Sequence, residues 1–349
     1  MNAILDSAGN GATQPAPHST HPTAKLKLLL KREYWEHKGG FFWAPIWAAG
    51  ISLLFTLLGL ITAEFAARKA SFGNFKINGE VMVNGLDLNA ITAQMSSGDM
   101  EKLAAGISMS AASAMIWPLL ALGFVVFFYC LASLYDERQT RSVLFWKSLP
   151  ISDRDTVLSK AISALIVAPV IATAIGIVCM LAFLLILSVF VLIHHGNPFT
   201  LLWNPSSLLA NASVLVAALP IYALWALPSV GWLMLCSVWA KSKPFLWAVA
   251  LPVFAGVFIS WFDLLSIFNI ESNWFWKNIV AHLLGGVFPG TWMQLADLSS
   301  FNGNGIPSTL TIVQGMYTVL LSPQLWIGAA AGVAMLIGAM QLRRWRDEG

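Results

Sequence analysis

The chain has 349 residues, 57% hydrophobic and only 11% charged, with a net charge of +3 and a mean hydropathy of +0.71. Soluble domains carry about 25% charged residues, so this composition argues against a soluble globular protein and for an integral membrane protein. The small net charge does not suggest nucleic-acid binding. Cys130, Cys179 and Cys236 lie inside apolar runs and read as buried thiols, not as a disulfide framework or metal site.

Residues 1–23 are rich in Ser, Thr, Pro, Gly and Asn and predict a disordered cytoplasmic tail without the order of a signal peptide. Residues 24–40, beginning AKLKLLLKREYWEHK, predict an interfacial helix. Leu26, Leu30 and Tyr34 share one face, while Leu28 and Trp35 lie opposite. Its basic residues favour anionic lipid headgroups.

A helix needs about 20 apolar residues to cross a bilayer. Segments near 41–63, 109–134, 161–193, 206–240, 245–262 and 325–342 qualify, and none has a charged residue in its interior. The fold class is therefore an all-α polytopic membrane protein with six transmembrane helices. Lys and Arg set the orientation. Of the 20, only Arg68, Lys69, Lys76, Lys102 and Lys277 fall on the side opposite the N-terminus. Both termini are thus expected in the cytoplasm. The 16 Trp suit the two membrane–water interfaces.

The outer connections are long, 64–108 and 263–324. In the first, Asn78-Gly79 and Asn84-Gly85 flank EVMV and suggest a small β-hairpin or an irregular loop. In the second, residues 274–298 are apolar, but Gly285, Gly286, Pro289 and Gly290 interrupt them. A pair of re-entrant outer helices between spans five and six is expected there, rather than a seventh span. Residues 307–322 are too short for an eighth.

Ion-coupled transporters usually carry ionisable residues inside the bilayer; here only Glu64 and Asp263 lie near span ends, and His194 and His195 follow the third span. No H-E-x-x-H occurs, and no G-x-x-x-x-G-K-[ST], so any ATP site must be on another chain. His194, His195 and His282 read as waterline polar residues or as an intramembrane base. Pro118, Pro169, Pro220, Pro228 and Pro252 interrupt the central spans and suit bent, movable helices. Gly328 and Gly332 have the small-xxx-small spacing of a helix-packing face.

The charge concentrates in LYDERQTRSVLFWKSLPISDRDTVLSK, residues 134–160. Asp136 to Lys147 predicts a short surface helix carrying Val143, Leu144, Phe145 and Trp146. Pro150 ends it, and Ser152 with Asp155 starts the next helix. The apolar group suits docking of a cytosolic partner or burial in lipid.

This segment resembles the first cytoplasmic loop of ABC-2 type transporter permeases, the membrane subunits of bacterial ATP-binding-cassette exporters. The resemblance rests on Glu137, Arg138, Leu149, Pro150, Ile151, Ser152, Leu158, Ser159 and Lys160. Gln139-Thr140-Arg141-Ser142 departs from the Gly-Thr that often follows Glu-Arg there. The resemblance implies a coupling element of Glu137, Arg138, Val143, Phe145, Trp146, Leu149, Pro150 and Ser152, set against an ATPase. It implies a connecting helix with Arg32, Tyr34 and Trp35. It also implies a second permease copy (self or paralogue), a cytosolic ATPase dimer holding ATP and Mg, no cofactor on this chain, and location in the bacterial inner membrane. A secondary transporter or channel, or an intramembrane enzyme or scaffold, is the alternative.

Overall fold

The computed structural model describes residues 22–71, 88, 95–140, 152–203, 208–265, 271–296 and 309–346. The expected hairpin and nearly all of the expected N-terminal tail lie outside the described residues, as does 141–151. Every regular element among the described residues is helical. Six helical segments are long and apolar enough to cross a membrane: Gly39–Ala66, Ser97–Gln139, Asp153–Ile193, Phe199–Trp239, Pro244–Leu264 and Pro323–Trp345. The chain is a multi-pass helical membrane protein.

The first helix, α1 (Pro22–Glu36), precedes a wide turn at Gly39–Trp43 and α2 (Ala44–Ser71). The second crossing is α3 (Ser97–Ala114) followed by α4 (Ile116–Ser133) and a short turn of helix, α5 (Tyr135–Gln139). It starts well before residue 109. Ser96 caps it by accepting the Asp99 N–H at 3.2 Å. The polar run SGDMEK obscures this extension in hydropathy, although Met, Glu and Lys are good helix formers.

The third crossing is α6 (Asp153–Ile162) and α7 (Ala168–Ile193), joined by a wide turn at Ser163–Val167. In that turn the Ala168 N–H reaches back to Ser163 O, just before Pro169, which has no N–H to donate. The fourth is α8 (Leu208–Trp239), with Pro220 and Pro228 inside it. The fifth is α9 (Pro244–Leu264).

Residues 274–296 do not form one long helix. Two short helices, α10 (Ser272–Phe275) and α11 (Ala281–Gly285), flank a wide turn. The chain then turns through Gly290 at φ +88°, a conformation that favours glycine, into a 3-10 turn at Thr291–Leu295. The later apolar stretch makes α12 (Thr309–Tyr317), which with its 3-10 extension ends at Leu321, short of the six. The last crossing is α13 (Pro323–Arg346).

The centre of the bundle is α8, whose Tyr222, Ala226, Val230 and Leu233 are buried against Leu122 and Val126 of α4 and Ala168 of α7. α13 packs on α8 in parallel. Contacts advance together along both helices, from Gly328 near Pro228, through Gly332 near Leu227 and Gly231, to Gly338 near Leu235. The approach is backbone to backbone: a Cβ on Gly231 would lie 2.6 Å from Gly332 O, and one on Gly332 would lie 2.6 Å from Leu227 C. By contrast α2 and α9 are peripheral: Trp47, Phe55 and Phe65 of α2 and Phe254, Phe258 and Trp261 of α9 are exposed.

Candidate functional site

The six crossings bring Glu36, Gln139, Asp153, Trp239 and Arg346 to one end of the bundle, called here the base. A buried ion network joins four segments there. Glu33 of α1 and Lys160 of α6 are each 1% exposed. The Lys160 Nζ lies 3.0 Å from Glu33 Oε1 and 3.1 Å from Glu137 Oε1 of α5. Arg343 of α13 pairs with Glu137 Oε2 at 3.0 Å through Nη1, and with Asp153 Oδ1 at 3.0 Å through Nε. Arg32 reaches Glu33, Glu137 and Glu36 at 3.2, 3.4 and 3.1 Å. The Tyr129 hydroxyl donates to Glu33 Oε2 at 2.9 Å.

Why these residues meet follows from local geometry. Glu33 stands four residues after Leu29 and seven after Leu26, so it belongs to the inward face of α1. Leu29 is 5% exposed, whereas Leu28 and Trp35 are 67% and 59% exposed. Lys160 lies on the buried side of α6 with Thr156, Val157 and Ala161. Its long stem runs through apolar surroundings to reach two carboxylates.

Burial alone would push the Glu33 carboxyl up. The Lys160 ammonium overcomes this by charge and hydrogen bond, with the Tyr129 hydroxyl and Arg32 adding to it, and holds Glu33 below its ordinary range. Glu33, Glu36 and His37 have ligand atoms within 4.8 Å of one another. The Glu33 oxygens, however, already face Lys160 and Tyr129, which leaves this cluster a poor cradle for a metal ion.

Arg138 does different work from its neighbour Glu137. Its Nη2 donates to Ser237 O at 2.5 Å and Ala240 O at 2.9 Å, closing carbonyls at the C-terminal end of α8. Ser237 returns the bond across the break between α4 and α5. Its Oγ donates to Leu131 O and accepts from the Leu134 and Tyr135 N–H groups. On the far side of 141–151, Ser152 Oγ accepts the Asp155 N–H at 3.1 Å. The residues bordering 141–151 are thus both tied into the base: Glu137 and Arg138 before it, Asp153 and Lys160 after it.

Val143, Phe145, Trp146, Leu149 and Pro150 lie outside the described residues. Of the expected connecting-helix residues, Arg32 enters the network, Tyr34 packs on the central core and Trp35 is exposed under the Lys38 ammonium. The sequence gives Glu33, Arg343 and Tyr129 no site role, and Lys160 enters only as a residue of the family resemblance. A legible signal existed for Glu33, an acid centred on the Leu26–Leu29–Leu30 face.

The histidines fall into two environments. At the end opposite the base, His194 Nε2 meets Glu64 Oε2 at 2.7 Å, joining α7 to α2, while His195 is exposed. The His282 ring stacks on Trp225 with centroids 3.8 Å apart. Its Nε2 lies 2.9 Å from Trp225 O, and its own carbonyl accepts from Ser229 Oγ. These contacts fasten α11 to α8 beside Pro228.

No family model matches this chain, and neither the curated proteins nor the solved structures contain a match to it.

Proposed function

We propose that this chain is the membrane subunit of an ATP-driven ABC exporter of the ABC-2 type, working with a second permease copy and two cytosolic ATPases. In this reading the base faces the cytoplasm of a bacterium, in its inner membrane. The segment 141–151 docks the ATPase, which carries ATP and Mg. The observation that carries the reading is the buried network around that segment. Its flanking residues are fixed to α1 and to the last crossing, so a displacement there moves four segments together. The apolar, uncharged spans suit a hydrophobic or amphipathic cargo, such as a lipid, glycolipid, peptide or antibiotic, and α1 rests on anionic lipid. The re-entrant α10–α11 pair then lies at the outer face.

The first test is whether an ATPase with a Walker A motif is encoded beside this gene; co-expressed with that ATPase, the permease is purified through its own tag and ATP hydrolysis is assayed. The ATPase is expected to co-purify with the wild type and to be lost or uncoupled in Phe145→Ala with Trp146→Ala. Equal binding and hydrolysis in the double variant would remove the reading's support. A secondary transporter is the second reading, favoured by the Glu64–His194 pair. Transport that ignores the ATPase but stops with His194→Ala would establish it.

A further inference from the structure

A cavity of about 590 Å³ opens between the second, third and fourth crossings, the 288–293 turn and α12. Its deep wall includes Leu122, Thr173, Tyr222, Trp292 and Met316, each no more than 5% exposed. Its rim includes Ile116, Leu120 and Met293, which are 57%, 45% and 47% exposed.

No charged side chain lines it. The Tyr222 hydroxyl is turned away to Val287 O at 2.8 Å, and the Thr291 hydroxyl to Phe288 O at 2.8 Å. A polar occupant would find these hydroxyls already donated, and would lose its hydration on entry.

Height decides what can enter. Leu119, Thr173 and Leu219 line the cavity, and each stands near the middle of its crossing: Ser97–Gln139, Asp153–Ile193 and Phe199–Trp239. At a 1.5 Å rise per residue, Leu119 is roughly 30 Å along the helix from either end. With the six helices as membrane spans, the rim opens sideways beside the exposed Trp117 and Phe124, within the apolar run of the second crossing that hydrocarbon would surround. At about 590 Å³ the space lies within the range of single-ligand pockets, about 300–1,000 Å³.

We propose that this cavity binds a hydrocarbon tail of a bilayer lipid, admitted laterally past Ile116 and Leu120. The inference rests on the six helices being membrane spans. It deepens the proposed function by naming a tailed lipid as the ligand class. It needs no ATPase, so failure of the coupling experiment leaves it standing, and its own failure leaves the coupling experiment standing.

The full-length chain is placed in phosphatidylcholine nanodiscs doped with a phosphatidylcholine bearing a diazirine at the end of one acyl chain. After illumination, adducts are mapped by mass spectrometry. Bulk lipid touches Phe254 and Phe258, which are 71% and 63% exposed, but cannot touch Leu122 or Tyr222, which are 2% and 4% exposed. Adducts at Leu122 or Tyr222 are expected, lost in the cavity-filling variant Ala218→Trp while those at Phe254 and Phe258 persist. Should that variant not fold, the same probe with its diazirine beside the headgroup decides in the wild type, because it should miss Leu122 and Tyr222. Adducts confined to exposed residues, equal labelling by the headgroup-side probe, or labelling by a diazirine fatty acid but not by the phospholipid would overturn the proposal.

Discussion

The two ends of the bundle are held together by different chemistry. At the base, Glu33, Glu137, Lys160, Arg343, Arg32 and Asp153 form a continuous network among α1, α5, α6 and α13. At the opposite end, α2 meets α7 through Glu64 and His194, with Arg68 on the same carboxylate and largely exposed. Buried pairs are not cheap sources of stability, because desolvation offsets their attraction. What they impose is geometry, since a lone charge left behind is strongly penalised. The base is therefore specified as one arrangement of four segments, whereas among the described residues of the other end the ion pairs around Glu64 join only α2 and the end of α7. That asymmetry suits a protein driven from one side.

The largest break in the comparison should come from Lys160→Met. It leaves Glu33 buried without its ammonium and should cost about 3–5 kcal/mol, the range for removing one partner of a buried pair. Denaturant or thermal unfolding in detergent reads this. Glu33→Gln combined with Lys160→Met should recover part of the loss; a double variant as unstable as the sum would mean the two side chains do not act as a pair.

Next comes the apolar seam, which holds helices without charge. Gly332→Ala places a methyl 2.6 Å from the Leu227 backbone. It should cost about 1–3 kcal/mol by overpacking, whereas Gly328→Ala, whose nearest neighbour is 3.3 Å away, should cost less. Equal effects at the two glycines would argue against the close crossing.

The base should also respond to acid. Glu33 has a folded pKa held below its ordinary value. A carboxyl of that kind adds stability that is fully present above its unfolded pKa of about 4.3 and lost as pH falls through the lower folded value. The stability gap between wild type and Glu33→Gln should therefore be constant at neutral pH and close below about pH 4. A gap that persists into stronger acid would assign the effect to packing.

The smallest effect belongs to the other end. Glu64→Gln should move the thermal midpoint less than any change above, since Glu64 is partly exposed and Arg68 is largely exposed. A shift matching Lys160→Met would erase the contrast between the ends.

Much of the fold can be read from the chain alone, because crossing a bilayer leaves a composition signal that does not depend on neighbours. The six apolar runs each become a long helix, and Gly285 to Gly290 interrupt the tempting seventh. The start of the second crossing at Ser97 was hidden, since its first two turns are polar and hydropathy does not register a helix that polar residues also favour. Glu137, Arg138 and Ser152 stood out by their charge and capping pattern. Lys160 stands in the same charged stretch, but nothing local shows that it is buried, and Arg343 reads as a terminal cation.

Composition and the distribution of Lys and Arg thus determined that this is a polytopic helical membrane protein with its charge gathered toward one end. Only the tertiary structure decided that Glu33, Lys160, Glu137 and Arg343, spread across the chain, share one buried site, and that apolar residues from three crossings leave a cavity at mid-height. Hydropathy is a property of each segment, whereas burial of a charge or a void arises only where several segments converge.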